Sequence, residues 1–122
     1  MSVNGSCLCG KVTVKMNEKH TNVWACHCNQ CRKQTSSPFF IVHSGGEETF
    51  TFEGEEFISR FKSSEKATRG FCSNCGTILF WELNESHCYS FNAELFPEQR
   101  PEYKIVREVY LKDKPDYYSL KI

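Results

Sequence analysis

The chain has 122 residues, 15 basic and 15 acidic side chains, 39% hydrophobic residues and ten phenylalanines. Charge neutrality argues against a nucleic-acid binder held by phosphate contacts, and no stretch approaches the ~20 apolar residues of a membrane span. What remains is one globular domain over residues 1–122, with a modest core that buries roughly two-thirds of the unfolded surface.

Taken in chain order, the pattern is short strands and close turns. GSCLCG (5–10) is a turn ending in Gly10, and KVTVKM (11–16) alternates Val12, Val14 and Met16 on one face. NVWAC (22–26) leads into CHCNQC, and NQCRKQ (29–34) reads as one short helical turn. PFFIV (38–42), ETFTF (48–52), FISRF (57–61), TRGFC (68–72), TILFWEL (77–83), CYSFNA (88–93) and KIVREVYL (104–111) read as strands. Strand alternation turns one of Phe39 and Phe40 to the core and leaves the other free to wall a pocket. The expectation is a mostly β domain pinned by metal.

Charge is uneven along this order. Residues 1–34 carry five basic groups and one acid, and residues 45–58 carry five glutamates and no basic group. These read as ordinary solvated faces. Alternatively, the basic arm balances buried thiolates or meets an acidic small molecule. No apolar run follows Met1, so the expectation is a protein without a signal peptide, cytoplasmic or nuclear, whose thiols stay reduced.

Eight cysteines then need an explanation other than disulfides. Seven lie in tight clusters, SCLCG, ACHCNQC and FCSNCGT, and only Cys88 stands alone. Such spacing suits metal ligation and strains a disulfide. A thioredoxin-like role for Cys72 and Cys75 would need a helix starting at the first cysteine, yet GTILFWEL after the second reads as a strand. CSNCG and SCLCG instead resemble zinc knuckles, each a turn ending in a glycine free to go left-handed. Combined, Cys7, Cys9, Cys72 and Cys75 would make a closed tetrahedral site with Zn–S bonds of about 2.3 Å. Pairing Cys26 and Cys28 with Cys72 and Cys75 satisfies spacing equally. The trio Cys26, Cys28 and Cys31 offers three ligands and one open position, the pattern of a catalytic zinc. Candidates for its fourth ligand are Cys88, His27, water or a substrate. His27 lies between two ligands, and its side chain is expected to point away from the metal. His20, His43 and His87 receive no role. Arg32 and Lys33 follow the trio, as solvated charges or as partners for thiolates or a substrate carboxylate.

GSCLCGKV, CHCNQCRKQTSSPF and RGFCSNCGTILF together, in this order and spacing, resemble the glutathione-dependent formaldehyde-activating family over residues 3–112, and KPDYY near the C-terminus is similar too. The resemblance implies a β-tent fold of short antiparallel sheets. It implies a structural zinc on Cys7, Cys9, Cys72 and Cys75 and a catalytic zinc on Cys26, Cys28 and Cys31. It implies S-(hydroxymethyl)glutathione synthase activity, a carbon–sulfur lyase reaction joining formaldehyde to glutathione. The expected partner is a small thiol or thiol adduct such as glutathione, with neither nucleic acid nor membrane. A thiol would bind the open position as thiolate, or the zinc would polarise the aldehyde oxygen. Two other readings compete: a non-catalytic zinc-stabilised binding module, and a zinc or redox buffer.

Overall fold

A computed structural model describes residues 2–121. Ten strands run in chain order: β1 (Val3–Ser6), β2 (Thr13–Met16), β3 (Asn22–Cys26), β4 (Phe39–Gly45), β5 (Phe50–Glu53), β6 (Ile58–Lys62), β7 (Ala67–Cys72), β8 (Ile78–Leu83), β9 (Cys88–Asn92) and β10 (Lys104–Val109). One α-helix, α1 (Asn29–Thr35), sits between β3 and β4; the other helical turns are short 3-10 segments. The fold is mostly β, as expected. No helix among the described residues is long and apolar enough to cross a membrane.

The strands form two sheets, three-stranded β1-β2-β5 and seven-stranded β10-β3-β4-β9-β8-β7-β6. Every pairing is antiparallel except β10 with β3, which is parallel. That pair departs from the expectation of wholly antiparallel sheets. Antiparallel neighbours can join by tight hairpins, whereas this parallel edge closes over the length of chain between residues 26 and 104. Strand β1 is absent from the expected elements, because Asn4 and Gly5 carry little strand propensity. Gly5 is buried all the same, with the Phe96 ring 2.6 Å from where a Cβ would stand.

Alternation gives the large sheet two different faces. One packs on the small sheet through Val42, Phe80, Tyr89 and Phe91, with Val14, Met16 and Phe50 opposite. Most of its aromatic rings meet edge-on or tilted, as their quadrupoles prefer, for example Phe50 against Phe91 at 5.0 Å, while Tyr89 and Phe91 stack at 5.8 Å. The other face carries a second, smaller cluster of Cys26, Cys31, Phe39 and Ile41, with Trp24, Ile78, Trp81 and Val109 packed around it. The split between Phe39 and Phe40 follows alternation: Phe40 packs on the main core, and Phe39, 4% exposed, packs on the trio's cysteines.

Candidate functional site

Two hairpin turns build the first sulfur group. In each, the leading cysteine donates its N–H across the turn, Cys7 to the Val12 carbonyl (3.0 Å) and Cys72 to the Thr77 carbonyl (2.9 Å). Gly10 (φ 81°) and Gly76 (φ 79°) take the left-handed conformation that closes the turns. The Leu8 N–H donates to Thr77 Oγ1 (3.1 Å) and ties one turn to the other. As a result the sulfurs of Cys7, Cys9, Cys72 and Cys75 all lie within 4.8 Å of one another. Cys7 and Cys9 are 3.6 Å apart, and Cys9 and Cys72 are 3.8 Å apart. Zn–S bonds of about 2.3 Å give a tetrahedral edge of about 3.8 Å, so the quartet fits a zinc ion in both spacing and donor softness. Thr77 hydrogen bonds pull the Cys75 thiol down to about 5, whereas burial pushes Cys72 up to about 11.

The second group forms where β3 runs into α1. Cys26 ends β3, Cys31 lies in α1, and Cys28 is the helix N-cap, its sulfur accepting the Cys31 N–H at 3.3 Å. Their sulfurs lie within 4.8 Å of one another. The structure therefore groups Cys26 and Cys28 with Cys31, and not with Cys72 and Cys75. Hydrogen bonds from Cys26 and Cys31, with the Arg69 charge, draw the Cys28 thiol far below the ordinary thiol range; the same sulfur contacts push Cys26 up. One thiolate forms readily, and further ones need a cation to hold them.

Arg69 supplies part of that charge. It lies on β7, 4% exposed, and its Nη2 donates to Cys31 Sγ (3.4 Å) and Cys28 Sγ (4.0 Å). Its Nη1 donates to Gln34 Oε1 on α1 (3.1 Å), and its buried Nε has no partner among the described residues. This residue does not stand out in the sequence. The signal present is a charged residue inside TRGFC, a run otherwise suited to a strand. Arg32 has a different role: it donates to the carbonyls of His27 (3.0 Å) and Asp113 (3.0 Å) and so ties α1 to the C-terminal segment. Lys33 is exposed.

His27 is fully buried and points away from the sulfurs. Its Nδ1 is 2.6 Å from the Tyr118 hydroxyl and its Nε2 is 2.8 Å from Glu108 Oε1. Both ring nitrogens are thus engaged, and His27 braces the loop between two cysteines. Tyr118 belongs to the KPDYY stretch, and Glu108 comes from β10, the parallel edge strand. Cys88 is exposed at the start of β9 and joins neither sulfur group. Neither of the two protein candidates for a fourth ligand stands with the trio. His43 hydrogen-bonds Ser90 (2.7 Å), and His87 pairs with Glu82 (2.7 Å).

The chain resembles known proteins over almost its whole length. Residues 2–113 match the model of the family described as glutathione-dependent formaldehyde-activating enzyme. An uncharacterized lyase of Schizosaccharomyces pombe is 35% identical over 116 residues, covering 94% of this chain and 82% of that protein. A putative glutathione-dependent formaldehyde-activating enzyme of Halomonas elongata is 26% identical over 134 residues, covering 99% of this chain and 82% of its own length. The crystal structure of a Rhodobacter sphaeroides protein superposes with a TM-score of 0.68 at 17% identity, over 86% of this chain and 98% of that one, a likeness of fold alone. The chain therefore belongs to the glutathione-dependent formaldehyde-activating enzyme family, as its motifs indicated, and with it to the carbon–sulfur lyases.

Proposed function

We propose that residues 1–122 work as one zinc-binding domain that makes and breaks the carbon–sulfur bond of a thiol–aldehyde adduct such as S-(hydroxymethyl)glutathione. The observation that carries this reading is the contrast between the two sulfur groups. Cys7, Cys9, Cys72 and Cys75 form a complete quartet of protein ligands, whereas Cys26, Cys28 and Cys31 are three sulfurs beside a buried arginine. Structural zinc sites are closed, and catalytic ones keep a position open. In this reading the quartet holds a structural zinc and the trio a catalytic one. Bound at the trio, zinc would supply a Lewis-acid position for a substrate sulfur or oxygen.

The chain's own residues do the rest. Arg69 sets a positive charge against the thiolates and favours the sulfur of the departing thiol as an anion. As the C–S bond breaks, its electron pair goes to sulfur, the adduct hydroxyl gives its proton to solvent, and the O–H electron pair forms the carbonyl; in reverse, the thiolate adds to the carbonyl carbon and the oxygen takes a proton from solvent. Phe39, Ile41, Trp24 and Trp81 wall the trio and reduce water around the reacting atoms. His27, held by Glu108 and Tyr118, fixes the backbone between Cys26 and Cys28. The family's name points to glutathione as the thiol and formaldehyde as the aldehyde.

Zinc per chain in protein purified without chelator tests the reading. A ratio near two, with thiol-plus-aldehyde turnover lost in Cys31→Ser while the fold is kept, supports it. If Cys31→Ser unfolds the chain as badly as Cys75→Ser, the trio is structural and the binding-module reading takes its place.

A further inference from the structure

A cleft of about 370 Å³ opens on the trio's face of the large sheet, lined by Lys19, His20, Thr21, Asn22, Trp24 and His43. We propose that this cleft is a carboxylate-binding subsite, where an anionic arm of the thiol substrate is held by the lining residues His20 and His43 and by Arg107, which is not itself in the lining but lies over the ring of Trp24, while its sulfur reaches Cys26, Cys28 and Cys31. The inference rests on the thiol reading of the trio and adds to it the part of the molecule that selects which thiol binds.

Trp24 connects the two places. It lines the cleft and also packs on the cluster that contains Cys26 and Cys31. It precedes Cys26 by two residues on one strand, so both side chains share a face about 7 Å apart. Two residues of extended peptide span a similar ~7 Å. A carboxylate placed one or two peptide units from a cysteinyl sulfur therefore reaches the cleft. The volume lies at the lower end of the range for small-ligand sites, roughly 300–1,000 Å³.

The charges suit an anion. No acidic side chain lines the cleft. Arg107 pairs in register with Trp24, lies over its ring at 4.8 Å, and has no carboxylate partner among the described residues. Lys19 is paired with Glu102, so it closes one end of the cleft and is not its main cation. His43 stands edge-on to Trp24 at 4.4 Å, and its Nδ1 is taken by Ser90 Oγ. Burial, aided by the nearby His20, lowers the affinity of His43 for a proton. An anion in the cleft would offset the His20 contribution, the smaller of the two causes.

The rim is also held in place. Gln99 is 1% exposed, and its amide grips the His20 backbone from both sides: Nε2 donates to the His20 carbonyl (2.8 Å), and Oε1 accepts the His20 N–H (3.3 Å). The Tyr103 hydroxyl, itself donating to the Ala93 carbonyl (2.6 Å), accepts from the same Nε2 at 3.1 Å. A rim fixed by buried hydrogen bonds keeps the cleft formed before a ligand arrives, which lowers the ordering cost of binding.

The test uses the zinc-loaded protein and S-methylglutathione, which keeps both carboxylates and has no free thiol. Tryptophan fluorescence reports binding at Trp24. The expected result is saturable quenching that the diethyl ester of the same compound does not produce. Arg107→Gln is expected to weaken binding at least tenfold, and Lys15→Gln, on the small sheet, to leave it unchanged. Equal binding of acid and ester, or equal losses in the two variants, overturns the proposal. A second arm replaces zinc by cobalt and follows the sulfur-to-cobalt absorption with glutathione and with 2-mercaptoethanol. If both thiols bind alike, and Arg107→Gln changes neither, the subsite is refuted while the thiol reading stands. If no thiol alters the cobalt spectrum yet S-methylglutathione still binds in an Arg107-dependent way, the cleft stands as an anion site and the thiol reading falls.

Discussion

At the scale of single residues, Arg69 shows how a buried charge is tolerated. A guanidinium 4% exposed would be costly alone; here it meets the sulfurs of Cys31 and Cys28 and the amide of Gln34. Groups behind metal ligands typically tune metal affinity by about 10–100-fold. Arg69→Gln is therefore expected to lower zinc affinity at the trio by about that factor, while the quartet keeps its metal; competition against a graded chelator measures it. Arg69→Lys keeps the charge but not the fork that joins the sulfurs to Gln34, and should fall between. His27 gives a second test. Tyr118→Phe removes the hydroxyl at Nδ1 and should cost about 1 kcal/mol in denaturant unfolding. An unchanged midpoint would mean that the brace contributes nothing. That His27 points away from the sulfurs could be read from its place between two cysteines. Arg69 could not, because an arginine in a strand ordinarily reads as a solvated charge; only the packing of α1 against β7 makes it a buried partner.

At the scale of elements, the knuckles were legible because everything they need is local: two cysteines, a short turn and a glycine. The helical turn at 29–34 appears as α1, with Cys28 as N-cap and Ser36 at the left-handed C-cap. The β7–β8 hairpin depends on a close approach instead. A Cβ on Gly70 would stand 2.2 Å from the Phe80 ring. Gly70→Ala should destabilise the fold by about 1–3 kcal/mol, visible as a lower denaturant midpoint with unchanged zinc content. The β8–β9 turn carries a pH dependence. The His87 Nδ1–H donates to Glu82 Oε2 at 2.7 Å, and this hydrogen bond raises the ring's proton affinity above the ordinary 6.5. The folded state thus binds the proton more tightly than the unfolded state. The stabilisation is complete below 6.5 and fades as pH rises through the raised value. His87→Asn, which tolerates the local φ of 55°, should flatten that fall in thermal scans run upward from below pH 6.5. His87 is exposed while Glu82 is buried, so solvent on the histidine side should keep the slope shallow. A slope as steep as that of the parent chain would locate the titration elsewhere.

At the scale of the whole molecule, the two sulfur groups should part under chelation. The trio, with three protein ligands, is expected to lose zinc first while the far-ultraviolet spectrum is kept. The quartet should lose it last, together with the fold, because it staples residues 7–9 to 72–75 across the sheets. A single concerted loss of both metals and the fold would contradict separate roles. The uneven charge along the chain also belongs to this scale. β2 lies beside β5, with Thr13 hydrogen-bonded to Glu53 and Lys11 over the Phe57 ring at 4.8 Å, yet no salt bridge among the described residues joins residues 1–34 to residues 45–58. The counter-charge to the trio comes from Arg69, outside that arm.

From sequence alone came what short range decides: strands from period-two alternation, knuckles from cysteine spacing and glycine, the opposed faces of Phe39 and Phe40, and the family from three motifs in order. Spacing left the division of the cysteines open and the resemblance implied one; the tertiary structure brings those sulfurs together, although Cys9 and Cys72 are 63 positions apart and spacing is blind to such distances. Tertiary structure alone decided that β10 lies parallel to β3, which brings Glu108 to His27 and Arg107 to Trp24. The physical reason is the same in each case. Local geometry follows from backbone sterics and neighbouring side chains, whereas partners for a buried charge or a sulfur are chosen by which strands pack together.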